Sequence, residues 1–314
     1  MKDSKVLVTG GAGFIGSHLV ERLCERNSVS ILDDLSTGSL RNLGGIRREV
    51  VIHKGSVLED QVLRRSMAGR EVVYHLAAKT SVAESMEKPQ EYWHANVEGT
   101  VAVLKAAIDA GVRRVVFASS AAVYGNSEEN PKMESLRPAP ASPYATTKMV
   151  GEFACEEAAQ MKRLDTTVLR IFNVYGPRQD PRSSYGGVIA RFASAVATGE
   201  PIEIYGDGEQ TRDFLYVGDL AEALELAGEK PIGGEALNIA SGQATTVNEV
   251  VRLLTEVTGS KPQVIRKEAR PGDIRNSQAD VSRAVGRLRF KAKTPLREGL
   301  GRTIEFYRSR STAS

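Results

Sequence analysis

A glycine-rich turn near the start of the chain restricts the fold more than any other stretch. A short apolar run at residues 5–9 leads into Gly10, Gly13 and Gly16, and an amphipathic pattern follows from about residue 14 to 25. A strand, a tight turn and a helix in this order bring helix amides to the place where a pyrophosphate binds. The stretch therefore predicts a mononucleotide-binding unit of a parallel α/β sheet.

The acid that ends the second apolar run indicates which dinucleotide binds. Residues 29–32 form this run, and Asp33 and Asp34 follow it. A carboxylate at this point accepts hydrogen bonds from an adenosine ribose 2′-hydroxyl and repels a 2′-phosphate. The pattern predicts NAD rather than NADP.

Further strand-like and helix-like segments alternate along the chain. Apolar runs are predicted as strands at 49–53, 72–76, 113–118 and 166–171. Repeated strand–helix units favour a doubly wound parallel sheet of the Rossmann type, with a smaller C-terminal α/β substrate lobe. The composition changes after residue 177. We predict that the NAD-binding domain comprises 1–177 plus about 217–247, and that the substrate-binding lobe comprises 178–216 and 248–314.

The segment Ser142-Pro143-Tyr144-Ala145-Thr146-Thr147-Lys148 has the features of a helix start that carries a base. Ser142 is a favourable N-cap and Pro143 suits the first helical position. Tyr144 and Lys148 then lie one turn apart on the same face. The helix dipole and the ammonium group both favour phenolate, which suits a general base for a sugar or alcohol hydroxyl.

Composition excludes several other classes of protein. The 314 residues carry 42 Lys and Arg against 39 Asp and Glu, interspersed along the chain, which does not favour nucleic-acid binding. Only Cys24 and Cys155 are present, without metal-ligand spacing, so we predict free thiols and no metal site. The sequence shows neither a signal-peptide pattern nor an apolar run of about 18 residues. We therefore expect a cytoplasmic protein with no membrane partner.

Several stretches together resemble one enzyme family. The chain resembles the extended branch of the short-chain dehydrogenase/reductase superfamily, and within it the UDP-glucose 4-epimerase family. The matching stretches are VTGGAGFIGSH from Val8, HLAA from His75, SSAAVYG from Ser119, SPYATTK from Ser142, RIFNVYGPRQ from Arg170, GDGEQTRDFLYVGD from Gly206, LNIASG from Leu237 and RPGD from Arg270.

The resemblance implies a role for each matching residue. Tyr144 would be the catalytic acid/base, Lys148 would hold the nicotinamide ribose and lower the pKa of the phenol, and Ser120 would bind the C4 hydroxyl. The implied cofactor-binding residues are Gly10, Gly13, Phe14, Ile15, Gly16, Asp33, Asp34, Ser56, Val57, Leu76, Ala77, Ala78, Asn96, Tyr144 and Lys148. The implied substrate-binding residues are Ser120, Asn173, Arg212, Arg270, Asp273 and Ser277.

The implied reaction inverts C4 of a UDP-hexose. Tyr144 takes the C4 hydroxyl proton while the C4 hydride passes to NAD, and hydride returns to the other face of the rotated 4-keto sugar. The family also implies a homodimer that pairs the helices at about 90–110 and 144–163. The alternatives are a uronic acid epimerase, a dehydratase or a ketoreductase of the same branch, and a catalytically silent NAD-sensing protein.

Two departures from the family pattern affect the details. Ser56 stands where many relatives carry an Asp that contacts adenine. Ser277 falls near the position where some epimerases place a bulky Tyr against the sugar. A small side chain there predicts room for a 2-N-acetyl group, and hence use of UDP-GlcNAc and UDP-GalNAc beside UDP-glucose and UDP-galactose.

Overall fold

The computed structural model describes residues 1–183, 187–269 and 274–311. Its centre is a seven-stranded sheet in the order β10-β6-β5-β4-β1-β2-β3, and every strand pair in it is parallel. The predicted doubly wound sheet is thereby confirmed. Parallel strands need crossover connections, which the intervening helices provide.

The twelve strands of the described residues are β1 (Lys5–Thr9), β2 (Ser28–Asp33), β3 (Val51–Lys54), β4 (Val72–His75), β5 (Arg114–Ser120), β6 (Asp165–Ile171), β7 (Asn173–Tyr175), β8 (Ile202–Tyr205), β9 (Thr211–Tyr216), β10 (Ala236–Ile239), β11 (Ala244–Thr246) and β12 (Val264–Lys267). The α-helices are α1 (Phe14–Cys24), α2 (Asp60–Met67), α3 (Val82–Glu87), α4 (Pro89–Tyr92), α5 (Gly99–Asp109), α6 (Pro143–Gln160), α7 (Val188–Thr198), α8 (Val217–Glu229), α9 (Val247–Thr258), α10 (Ser282–Leu288) and α11 (Leu296–Ser311). A π-helix (Trp93–Glu98) joins α4 to α5, and 3₁₀ segments cover Leu40–Arg48 and Ala121–Tyr124.

Apolar side chains cover both faces of the large sheet. Leu19 of α1 and Leu224 of α8 belong to the core on one face. Val103 of α5 and Cys155 of α6 belong to the core on the other face. Burial on both faces explains why the strands appear in the sequence as continuous apolar runs.

The smaller lobe has its own core between short sheets and three helices. Its sheets have the orders β11-β9-β7 and β12-β8. Phe192 of α7, Leu254 of α9 and Ile304 of α11 pack against Ile204 of β8. This lobe stands beside the carboxyl ends of the large sheet, where β7 directly follows β6.

The packing differs from the predicted lobe division in more than one place. Strands β7 and β11, which were assigned to the NAD-binding domain, pair with β9 in a small sheet. Ala284 and Leu288 of α10, together with Phe290, pack in the core of the large sheet, although 248–314 was assigned to the smaller lobe. The division into lobes otherwise stays a prediction. Within the described residues, no helix is long and apolar enough to cross a membrane.

Candidate active site

A deep cleft of about 1750 Å³ lies between the two lobes. Gly10, Asp33, Leu76, Ser120 and Phe172 line it, and each lies at or just after the carboxyl end of a strand of the large sheet. This is the edge at which ligands bind in open parallel sheets.

The glycine turn at the cleft floor has no room for side chains. Gly10 has φ +69°, and a Cβ there would lie 2.8 Å from the amide nitrogen of Ala77. A Cβ on Gly16 would overlap the carbonyl oxygen of Gly10, so α1 packs directly on the turn. Gly13 precedes α1 and has no capping side chain, which leaves the first helix amides available to an anion.

Asp33 lines the same cleft, at the end of β2. Its carboxylate accepts hydrogen bonds from the amides of Ala12 and Leu35, both at 2.9 Å. Burial raises the pKa of Asp33, and these amide hydrogen bonds oppose the shift. A fixed acid beside a glycine cradle fits the adenosine ribose of NAD, as the sequence predicts.

The cleft wall also contains most of the other predicted cofactor contacts. Phe14, Ile15, Asp34, Ser56, Val57, Leu76, Ala77 and Ala78 all line it. The hydroxyl of Ser56 accepts a hydrogen bond from the amide of Leu58 at 3.2 Å, so it stabilises the turn after β3.

Asn96 lies behind this wall rather than in it. Its side-chain oxygen accepts the amide of Lys79 at 2.8 Å. Its side-chain nitrogen donates to the carbonyl of Lys79 at 2.9 Å and to the hydroxyl of Thr147 at 3.0 Å. Asn96 therefore ties the segment after β4 to helix α6, and it positions the cleft wall from the π-helix.

The predicted catalytic pair lies on α6, as the sequence indicates. The Ser142 hydroxyl accepts the amide of Ala145 at 3.2 Å, and Pro143 begins the helix. Tyr144 is 8% exposed, and the Ser120 hydroxyl lies near enough to its phenol to lower the pKa of that phenol. A phenol and a serine hydroxyl thus meet at the cleft surface, where they can share a proton with a bound hydroxyl group.

The sequence predicts that the phenolate form of Tyr144 is favoured, and for the protein by itself this prediction is wrong. Burial raises the pKa of Tyr144, and only the Ser120 hydroxyl opposes the shift. The hydrogen bond that the Lys148 ammonium group donates goes to the carbonyl of Ala118, at 2.8 Å. Desolvation of the ring therefore outweighs the dipole and ammonium effects expected from spacing.

Lys148 is itself a buried cation. It is 4% exposed, and its Nζ lies 5.0 Å from the ring centre of Phe117. Burial lowers its pKa to about 8, and Cys155 and Glu152 oppose this shift. Lys148 lines the cleft beside Tyr144, where it can bind a ribose hydroxyl.

The sequence reasoning missed two supporting residues. Glu152 receives a hydrogen bond from Ser119 and pairs with Arg170, with Nη2 to Oε2 at 2.7 Å. Tyr92 packs edge-on against Tyr144, with ring centres 6.5 Å apart. The four-residue spacing of Lys148 and Glu152 was visible in the sequence, whereas the approach of Tyr92 depends on tertiary packing.

The predicted substrate residues lie on the other side of the cleft. Asn173, Arg212 and Ser277 all line it. The Arg212 Nη1 donates to the carbonyls of Thr211 at 2.8 Å and Ile274 at 2.7 Å, which fixes the guanidinium group at the lobe junction. The remaining two predicted residues, Arg270 and Asp273, lie outside the described residues.

Known proteins match this chain over nearly its whole length. The model of the NAD dependent epimerase/dehydratase family matches residues 6–240. A UDP-glucose 4-epimerase of Mycolicibacterium smegmatis is 37% identical over 98% of this chain and 99% of its own.

Solved structures agree with the sequence relatives. A UDP-N-acetylglucosamine 4-epimerase from Methanobrevibacter ruminantium, in complex with UDP-N-acetylmuramic acid, is 38% identical with a TM-score of 0.95, over 99% of this chain and 100% of that one. A UDP-glucose 4-epimerase of Thermotoga maritima with UDP-glucose is 39% identical with a TM-score of 0.92, over the same shares.

Other relatives at similar identity carry the names of a UDP-N-acetyl-alpha-D-glucosaminuronate decarboxylase, a UDP-glucuronate 4-epimerase and a dTDP-glucose 4,6-dehydratase. The family uses NAD, and the glycine cradle and Asp33 fit that cofactor. The chain belongs to the NAD-dependent epimerase/dehydratase family.

Proposed function

We propose that this protein is a UDP-hexose 4-epimerase, which inverts C4 through a transient 4-keto sugar. The observation that carries the proposal is that Tyr144 and Ser120 line the same cleft, with Lys148 one turn further along α6 and also on the cleft surface. The names of the most similar relatives support the same reaction.

In this proposal, Tyr144 exchanges a proton with the C4 hydroxyl, and Ser120 holds that hydroxyl against the phenol. NAD, when bound, supplies a hydride acceptor whose positive nicotinamide ring also favours the phenolate. Lys148 holds the nicotinamide ribose by its ammonium group. The phenol is 8% exposed, so water has little access to the proton that it transfers.

We assign the anchoring of the UDP group to Asn173, Arg212, Arg270 and Asp273. A guanidinium group binds a diphosphate by paired, charge-assisted hydrogen bonds. Firm anchoring at the nucleotide leaves the sugar free to rotate and to present its other face. Rotation is what distinguishes inversion from simple oxidation and reduction.

Two small side chains favour inversion over water elimination. Ala121 and Ala122 follow Ser120 along the cleft. Elimination across C5 and C6 requires an acid or base near these carbons, and neither alanine provides one. We therefore place the dehydratase reaction below epimerisation.

The sugar side of the cleft has room for a 2-N-acetyl group in this proposal. Ser277 lines the cleft and presents only a hydroxymethyl side chain. We propose that both the hexose and the N-acetylhexosamine pair are substrates.

The assembly that we propose is a homodimer formed through α5 and α6. Trp93 and Val101 are 46% and 51% exposed near the start of α5 and within it. Phe153 and Met161 are 55% and 60% exposed on and just after α6. Large apolar side chains at such exposure favour burial against a second copy.

The test is incubation of the purified protein with UDP-galactose without added cofactor. Conversion to UDP-glucose is expected, since each turnover regenerates the cofactor. A Tyr144→Phe variant keeps the ring in place and removes the acidic proton, so it should convert at most about a hundredth as fast. Undiminished turnover by this variant would refute the role of Tyr144.

A further inference from the structure

A buried carboxylate in the smaller lobe has contacts that the proposed reaction does not use. Asp213 of β9 is 0% exposed. Its Oδ1 accepts the amide of Ser241 at 2.8 Å and the hydroxyl of the same residue at 2.6 Å. Its Oδ2 accepts the amides of Gly242 at 3.0 Å and Ala279 at 3.2 Å. Four donors therefore converge on one carboxylate, an arrangement that suits a charged acceptor.

The four hydrogen bonds join three separate parts of the chain. Ser241 and Gly242 follow β10 of the large sheet, whereas Asp213 belongs to the small sheet β11-β9-β7. Ala279 lies in the segment after residue 274, which enters neither sheet. The carboxylate thus connects strand β9 of the small sheet with the chain that follows β10 of the large sheet.

Two of these three parts carry a side chain of the proposed substrate site, and a third such side chain contacts the backbone of Asp213. Arg212 precedes Asp213 in β9, and Ser277 lies two residues before Ala279. The Asn173 side-chain nitrogen lies 3.5 Å from the Asp213 carbonyl oxygen, across the paired strands β7 and β9. Movement of Asp213 would therefore displace three cleft residues together.

We propose that Asp213 is a positioning residue, which holds Arg212, Asn173 and Ser277 in the geometry that binds the diphosphate and sugar of a nucleotide sugar. The inference rests on the proposed function, because it concerns the same substrate site. Asp213 does not contact the substrate. Asp213 keeps the binding groups ordered before the ligand binds. The free energy of binding is then not reduced by the cost of ordering them.

Replacement by Asn separates this role from simple packing. Asn has nearly the volume of Asp, but one of its two polar atoms donates hydrogen bonds. In one orientation the NH₂ group faces the amides of Gly242 and Ala279, and in the other it faces the amide of Ser241. Either orientation sets donor against donor, so at least one of the two attached segments loses a hydrogen bond to residue 213.

The matched control is Asp219, a second buried Asp at the start of α8. Asp219 is 6% exposed and accepts hydrogen bonds from the amides of Lys293 and Thr294 and from the Thr294 hydroxyl, at 3.2, 2.9 and 3.0 Å. These contacts hold the segment before α11 and none of the three cleft residues. Asp219→Ala therefore removes three comparable hydrogen bonds away from the proposed site.

The experiment measures the binding of UDP and of NAD by calorimetry, together with kcat and KM for UDP-galactose. For Asp213→Asn we expect the Kd for UDP and the KM to rise about tenfold, with kcat within about twofold and NAD binding unchanged. Asp219→Ala should leave the Kd for UDP at the wild-type value even if its melting temperature falls as much. Wild-type UDP affinity in a folded Asp213→Asn protein would overturn the inference.

A milder variant keeps the inference testable if Asp213→Asn does not fold. Ser241→Ala removes the hydroxyl's hydrogen bond to Asp213 and the one that the hydroxyl accepts from the amide of Gln243 at 3.2 Å, and it leaves the three amide contacts of the carboxylate in place. It should raise the Kd for UDP about threefold. An unchanged Kd in Ser241→Ala would overturn the inference in that case. Failure of the wild-type protein to bind UDP at all would instead overturn the proposed function.

Discussion

Replacing Lys148 by Met should change how stability depends on pH, because this cation is buried at a cost. Burial lowers its pKa from 10.5 to about 8. At about 1.36 kcal/mol for each pKa unit, the charged lysine lowers the stability of the folded protein by about 3 kcal/mol relative to the neutral lysine. Below pH 8 both the folded and the unfolded chain hold the proton, so the full cost is present. Above pH 8 the folded chain releases the proton first, so stability rises with pH up to about 10.5.

The assay is urea unfolding of the wild type and of Lys148→Met at two pH values. Between about pH 6.5 and about pH 9.5, the wild type should gain about 2 kcal/mol more stability than the variant. Subtracting the variant removes the titration of other groups. In the folded chain the neighbouring groups do not titrate in this range, since burial lowers the pKa of His75 to about 3 and raises those of Tyr144 and Cys155. Their titration in the unfolded chain is the same in both proteins and cancels in the comparison.

Equal pH dependence in the two proteins would refute the reasoning, because Lys148 would then titrate alike in the folded and unfolded chain.

The same titration has a consequence for catalysis. Turnover should decline as pH rises through about 8, since the ammonium group that holds the nicotinamide ribose loses its charge.

Three further changes test other parts of the site. Gly16→Ala places a methyl group against the carbonyl oxygen of Gly10, so the affinity for NAD, measured by titration, should fall at least about tenfold. The control is Gly286→Ala, in a helix with open space around the new Cβ, and it should bind NAD normally. Ser277→Tyr should weaken turnover of UDP-GalNAc selectively, and equal losses on UDP-galactose would contradict a roomy sugar pocket. Asn96→Leu removes three hydrogen bonds and should lower the free energy of unfolding, measured in urea, by about 2–4 kcal/mol. An unchanged unfolding midpoint would show that the segment at Lys79 is not stabilised by these hydrogen bonds.

Local sequence rules predicted the parts of the site that depend on backbone geometry. The tight turn at Gly10 and Gly16 and the helix start at Ser142 follow from residues that neighbour one another in the chain. The alternation of strands and helices likewise predicted the large sheet, and one core on each face of it. These features depend on steric and hydrogen-bonding preferences within a few residues.

Properties that depend on distant packing could not be predicted in this way. The raised pKa of Tyr144 arises from burial, which overrides the local dipole argument. Asn96 faces the Lys79 backbone because a π-helix turns it inward, and helical spacing alone did not indicate that turn. The four donors around Asp213 come from segments up to 66 residues away. Helix α10 packs on the large sheet, although we predicted that 248–314 belong to the smaller lobe.

The most direct test of the account follows the hydrogen at C4. UDP-galactose labelled with deuterium at C4 is incubated with the purified protein in ordinary water, without added cofactor. The account predicts UDP-glucose that retains deuterium at C4, since the hydride leaves and returns within one active site. Loss of the label to solvent would contradict C4 epimerisation through a tightly held cofactor. Replacement of the label by hydrogen in a parallel incubation with added NADH would contradict it as well.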